Sequence, residues 1–219
     1  MFEGRFFSFE GIDGSGKSTQ AYKLAETLRA MGYEVVLTRE PGGSAGAEEI
    51  RNLVLKGESD RWSPHSEILL FTAARRDHLE KVIAPALGRG AVVITDRFAD
   101  STRLYQGLAR NGGTELRALV DQLHDLMIGV EPDRTFLIDI DAEAAYARAM
   151  ERASEDETAS AEMRFEEMGL EMQQRMRMGF LTLAARASHR FVVVEGDRSV
   201  DAVAAEVLAM ALESFEGGA

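Results

Sequence analysis

The chain has no cysteine, so neither a disulfide nor a thiolate metal site can form, and a reducing compartment is the expectation. Lysine is scarce. Only Lys17, Lys23, Lys56 and Lys81 stand among 25 basic residues, and the other 21 are arginine, whose planar fork suits bidentate contacts to phosphate. No apolar run approaches membrane-spanning length, and the start, MFEGRFFSFEG, has no basic stretch followed by a long apolar one. The expectation is a soluble cytoplasmic protein with no membrane partner. An excess of positive charge is missing too. A net charge of −12 sets a repulsive average field against DNA or RNA and disfavours a nucleic-acid polymer as partner. A small phosphate ligand stays compatible, because a local arginine cluster and Mg2+ can outweigh that average. Repeats, low-complexity segments and interdomain linkers are also absent. With 219 residues, of which 45% are hydrophobic, residues 1–219 read as a single domain with a sizeable core.

What is present is organised around residues 6–20, FFSFEGIDGSGKSTQ. A short apolar run suited to a buried strand breaks into Gly11-Ile12-Asp13-Gly14-Ser15-Gly16-Lys17-Ser18, the full G-x-x-x-x-G-K-[ST] pattern, and a helical stretch follows from Thr19. Such glycines let the backbone curl around phosphates with its N–H groups inward, and the helix offers the positive end of its dipole to the same anion. Lys17 can reach the β- and γ-phosphates of a nucleoside triphosphate, and the Ser18 hydroxyl can ligate Mg2+.

Strand-like runs at 34–38, 91–95, 133–139 and 191–195 alternate with helical stretches at 18–31, 45–57, 64–87, 114–128, from 142, from near 161 to about 187, and 200–215. That alternation predicts an α/β fold, a doubly wound five-stranded parallel sheet with helices on both faces. Ligands then sit at the carboxyl ends of the strands. Thr38-Arg39-Glu40-Pro41-Gly42-Gly43-Ser44 leaves one such end, and there Arg39 is either a solvated turn residue or a phosphate ligand. Asp96-Arg97 leaves another, where an acidic residue can supply a second Mg2+ group. Asp100 or Ser101 can cap the helix that follows. Phe71 and Arg75, four residues apart, share a helix face; by periodicity Phe71 fits the core, and beside a guanidinium it also suits a planar base. Residues 153–160 lose apolar periodicity and form a polar excursion suited to a flap, so a short lid is expected over 148–166. An Asn-Lys-x-Asp guanine reader is missing, since the only asparagines are Asn52 and Asn111.

Four separated segments, FEGIDGSGKSTQ (9–20), TREPGGS (38–44), LLFTAARRDH (69–78) and DRFADSTRLYQG (96–107), together with a partial fifth, MRFE (163–166), resemble the thymidylate kinases of the P-loop nucleoside monophosphate kinase class. The resemblance spans nearly the whole chain. It implies transfer of the γ-phosphoryl of ATP to dTMP with Mg2+ as cofactor, in a homodimer. It gives the loop residues Gly11 to Thr19 to ATP, with Lys17 bridging donor and acceptor phosphates and Ser18 and Asp96 at the metal. It places Asp13 near the acceptor's 3′-hydroxyl, Arg39 and Arg97 on the acceptor phosphate, Phe71 stacked on thymine and Arg75 on its 4-carbonyl. Thr102 reads the base's N3 edge and Tyr105 crowds a 2′-hydroxyl; Ser101, Gln106 and Phe165 complete the acceptor set.

One branch of that family carries an extra catalytic arginine inside the loop, at the position that is Gly14 here. Gly14 therefore assigns this chain to the branch that supplies it from the flap, with Arg152 and Arg148 as candidates. The flap is acidic, and Met163 stands where relatives carry an acidic residue before the Arg-Phe-Glu triplet. A kinase of another nucleoside monophosphate or of a deoxynucleoside is the neighbouring reading, and a catalytically silent nucleotide-binding protein is the alternative of a different class.

Overall fold

Alternation along three strands sets the layers of the molecule. In β1 (Arg5–Glu10), Phe7 and Phe9 enter one apolar cluster while Phe6 enters another. In β3 (Val92–Asp96), Val92 and Ile94 face the first cluster and Val93 the other side; in β4 (Arg134–Asp139), Phe136 and Ile138 face it and Leu137 turns away. This is the period of two that a strand imposes, and because both faces are apolar the sheet is covered twice. A computed structural model describes residues 4–56, 61–107, 113–155 and 169–216.

Among the described residues the sheet has five parallel strands in the order β2-β3-β1-β4-β5, with β2 at Val35–Arg39 and β5 at Phe191–Glu195. One face is closed by α1 (Lys17–Ala30) and the C-terminal helix, through Leu24, Leu28, Val203 and Val207. The expected doubly wound architecture is the one observed, with strand ends within two residues of those read from the sequence. No helix of the described residues is long and apolar enough to cross a membrane.

Two local expectations are corrected. The helical stretch read as continuous over 64–87 is α3 (Pro64–His78), a π-helical turn (Leu79–Ile83) and α4 (Ala84–Gly88). Pro85 has no N–H for the carbonyl four residues back and its ring needs space there, so the ladder widens before it. The helix after β3 is α5 (Ala99–Tyr105), and no side chain of its own caps it. Asp100 instead accepts from Arg190 Nη1 and Nη2 at 2.7 and 2.9 Å and from Arg103 Nη1 at 2.9 Å. The capping oxygen comes from Glu10 at the end of β1, which accepts from the N–H groups of Phe98 at 2.8 Å and Ser101 at 3.2 Å.

The remaining helices are α2 (Ala45–Leu55), α6 (Gly113–Met127), α7 (Ala142–Glu155), α8 (Gly169–Arg186) and α9 (Val200–Glu216). The expected lid lies outside the described residues from 156 onward, and with it Met163, Arg164, Phe165 and Glu166.

Candidate active site

The loop between β1 and α1 turns on glycines at positive φ, Gly11 (144°), Gly14 (83°) and Gly16 (92°). At Gly14 a Cβ would lie 2.0 Å from the carbonyl oxygen of Ala145, so α7 packs directly onto the loop and leaves no room for a side chain. This gives a physical reason for the missing loop arginine. Lys17, in the first turn of α1, is nearly buried and its Nζ donates to Asp13 Oδ1 at 3.1 Å. Ser18 and Thr19 are exposed beside it.

The same Asp13 gathers the residues that leave β3. Arg97 Nη2 donates to Asp13 Oδ1, and the Tyr105 hydroxyl donates to Asp13 Oδ2 at 3.3 Å. Arg97 Nη1 donates to Ser101 Oγ at 2.9 Å and to the Gly11 carbonyl at 3.2 Å, while its guanidinium lies over the Tyr105 ring at 5.2 Å. Burial works against charge on Asp13, but Arg97 and Lys17 outweigh it and hold the carboxyl well below the usual range. Burial, helped by Asp13 and opposed by Arg97, pushes the Tyr105 hydroxyl up, so it stays a donor at neutral pH.

Ser18 Oγ donates to Asp96 Oδ2, and Asp96 Oδ1 is buried with no hydrogen-bond partner among the described residues. A hydroxyl and a carboxylate oxygen left unsatisfied are hard donors of the kind Mg2+ takes. The described residues hold no cluster of three or more metal-ligating side chains.

The residues expected to face the base lie on α3 and on α5 and its C-cap, Gln106. Phe71 is only 8% exposed, yet it belongs to none of the four packed apolar clusters. Arg75 is buried, donating from Nη2 to Thr102 Oγ1 at 2.9 Å and from Nε to Glu40 Oε2 at 2.7 Å. Gln106 is buried with its Nε2 lacking a partner among the described residues. Ser101 donates from Oγ to Glu10 Oε2 at 2.6 Å, so its hydroxyl joins Glu10 to Arg97. Arg39 is exposed at the end of β2, with Nη2 at 3.4 Å from Glu48 Oε2.

Of the two flap candidates, Arg148 stands one turn beyond the Ala145 contact on α7, half-exposed, with Nη2 3.6 Å from Asp197 Oδ1. The side chain of Arg152 lies outside the described residues.

This geometry coincides with a family pattern. The profile of the thymidylate kinase family matches residues 9–207. The chain belongs to the thymidylate kinase family. It is 63% identical over 209 residues to the thymidylate kinase of Ruegeria pomeroyi, covering 95% of each chain. It is 61% identical over 206 residues to that of Dinoroseobacter shibae, covering 94% of this chain and 95% of the relative. The crystal structure of thymidylate kinase from Ehrlichia chaffeensis superposes with a TM-score of 0.72 at 38% identity, covering 95% of this chain and 98% of that one. Family membership makes the chain a nucleoside monophosphate kinase, as the sequence segments implied.

Sequence reasoning missed Glu10, Glu40 and His78. Each is a titratable side chain buried to 5% exposure or less. Glu10 left one signal, a carboxylate ending a strand that carries three phenylalanines. Glu40 left none inside a turn rich in glycine and proline.

Proposed function

We propose that the site phosphorylates dTMP with ATP to give dTDP and ADP, in the cytoplasm, by one in-line transfer assisted by Mg2+. The observation that carries this reading is the meeting of the loop lysine and the acceptor-side arginine on one carboxylate: Lys17 and Arg97 both bond Asp13 Oδ1. Two cations held that close neutralise charge where donor and acceptor phosphates approach. The acceptor phosphate is already anionic, so no strong base is needed. Catalysis is positioning plus charge stabilisation. Ser18 and Asp96 are the residues that would hold the metal, which would supply charge neutralisation at the phosphates.

Each remaining residue has one task. Loop residues Gly11 to Thr19 wrap the ATP phosphates. Arg39 and Arg97 hold the dTMP phosphate, Phe71 stacks on thymine, and Arg75 and Thr102 read its polar edge. Gln106 offers its unpartnered Nε2, Ser101 braces Arg97, and Tyr105 excludes a 2′-hydroxyl. The family resemblance, rather than any described residue, assigns Phe165 and residues 148–166 to a lid on the acceptor side of a single kinase domain. Arg148 takes the flap-arginine role alongside Arg152, supported by its place one turn from the loop contact.

A homodimer accompanies this reading. Leu53, Leu69 and Leu126 are exposed on α2, α3 and α6, and α3 packs against both of the other two helices; exposed leucines are suited to burial against a second copy.

A coupled ATP-consumption assay over dTMP, dUMP, CMP, GMP and thymidine tests the assignment. dTMP is expected to be turned over fastest and thymidine not at all. Comparable turnover of thymidine and dTMP would overturn it in favour of a deoxynucleoside kinase.

A further inference from the structure

Glu40 and His78 are buried and have no part in the chemistry above. Glu40 Oε2 accepts from Arg75 Nε at 2.7 Å, and Glu40 Oε1 pairs with His78 Nδ1 at 3.0 Å. His78 Nε2 in turn lies 2.7 Å from Thr38 Oγ1. Burial opposes charge on Glu40, but Arg75 and His78 outweigh it and hold the carboxyl below its usual range. An ionised carboxylate only accepts, so His78 carries a proton on Nδ1. The result is a buried chain, Thr38–His78–Glu40–Arg75, that ties the end of β2 to α3.

The turn after β2 is shaped around this chain. Gly43 has φ 86°, and a Cβ there would lie 2.4 Å from both His78 Nε2 and Thr38 Oγ1. The same turn leaves Arg39 exposed and Glu40 buried, so one short segment serves the acceptor's two ends.

Arg75 is consequently fixed on two edges. Its Nε is held by Glu40. Its Nη2 donates to Thr102 Oγ1 at 2.9 Å and to the Phe98 carbonyl at 3.2 Å, and the Phe98 ring lies under the guanidinium at 5.1 Å. Nη1 forms no hydrogen bond among the described residues. Because the donors of a guanidinium share one rigid plane, fixing Nε and Nη2 also fixes where Nη1 aims.

We propose that Glu40, backed by His78 and Thr38, is a positioning residue for the acceptor base. It locks Arg75 so that Nη1 donates to a 4-oxo pyrimidine, and thereby sets the preference for dTMP over a 4-amino pyrimidine nucleotide such as dCMP. A fixed donor facing an amino group has no acceptor to meet, whereas a donor free to swing aside tolerates it. The proposal rests on the reading that Arg75 faces the base.

The test is steady-state kinetics with dTMP, dCMP and ATP for the wild type, Arg75→Gln, Glu40→Gln and Thr38→Val, each checked for folding by circular dichroism. Glu40→Gln is expected to lower the dTMP-over-dCMP ratio of kcat/KM about tenfold. The change should come mainly through KM for dTMP, with KM for ATP unmoved. Thr38→Val, which leaves no buried charge unpaired, is expected to shift the ratio the same way by about threefold. An unchanged ratio in Arg75→Gln overturns the reading that Arg75 meets the base. A lowered ratio in Arg75→Gln with an unchanged ratio in both Glu40→Gln and Thr38→Val overturns the positioning role alone. If Glu40→Gln fails to fold, the ratio in Thr38→Val decides. Lost stability or lost kcat with the ratio intact marks Glu40 as merely structural and also overturns the proposal.

Discussion

Arg97 reaches Asp13 from a left-handed backbone conformation, with φ at 68°. A residue with a Cβ is disfavoured there by about 1 kcal/mol or more, and the surroundings hold it in place. The Arg97 N–H donates to the Phe9 carbonyl at 2.9 Å, and the Arg97 carbonyl accepts from Thr95 Oγ1 at 2.9 Å. From this backbone conformation the guanidinium reaches the phosphate loop at the Gly11 carbonyl and Asp13. Arg97→Ala is therefore expected to lower kcat by about 10^3-fold, the scale of an arginine that stabilises a phosphoryl transition state, with a much smaller change in KM for ATP. Steady-state kinetics decide this; a kcat within tenfold of wild type would show that Arg97 does not act at the transferred group.

Gly14 bears on the family's division over its extra arginine. A side chain there must adopt φ 83° and displace the Ala145 carbonyl. Gly14→Ala is expected to destabilise the protein by roughly 2 kcal/mol, read as a fall in Tm of about 4–8 °C at this chain length. Gly14→Arg should not create a working loop arginine, because α7 must move first. An unaltered Tm in Gly14→Ala would mean that the α7 contact is not tight.

Glu10 makes stability depend on pH in a predictable direction. Burial and the charge of Asp100 push its carboxyl from 4.5 up to about 7, against the pull of Arg97 and the hydrogen bonds from Ser101 and Phe98. The folded chain then holds a proton, between pH 4.5 and 7, that the unfolded chain releases. The contribution is fully present below pH 4.5 and is lost as pH rises through about 7, amounting to roughly 3 kcal/mol. Asp13 and Glu40 are shifted downward, so their contributions vary only at more acidic pH. Urea unfolding between pH 5 and 8 should show wild type losing stability relative to Glu10→Gln as pH rises. Parallel curves would contradict the raised Glu10.

Much of the frame is legible in the sequence, because strand alternation, the phosphate-loop spacing and the arginines at strand ends are local patterns. What the sequence does not display is contact between distant segments. Pro85 was in plain view, yet the π-helical turn ahead of it follows from how the backbone chose to accommodate the ring. Glu10 capping α5 joins residues about 90 positions apart, and Glu40 holding Arg75 joins residues 35 apart. Neither pairing has a periodic signature. Asp100 looked like a helix cap by position, and Arg190, 90 residues onward, claims it instead. The space that excludes a side chain at Gly14 is likewise set by α7, far along the chain.

Phe71 is where sequence and packing gave different weights, since periodicity suits the core and the family resemblance suits a base. It lies outside the packed clusters. Phe71→Ala is expected to raise KM for dTMP by tenfold or more, the scale of lost base stacking, and to leave KM for ATP within about twofold. Equal loss for both substrates would make Phe71 a packing residue.

The central claim is that Lys17, gathered with Arg97 on Asp13, handles the phosphoryl group passing from ATP to dTMP. Turnover of dTMP by Lys17→Met, measured at saturating ATP and Mg2+ on protein whose Tm matches wild type, tests it most directly. The account predicts a fall in kcat of about 10^3-fold or more. Turnover near the wild-type rate would contradict it.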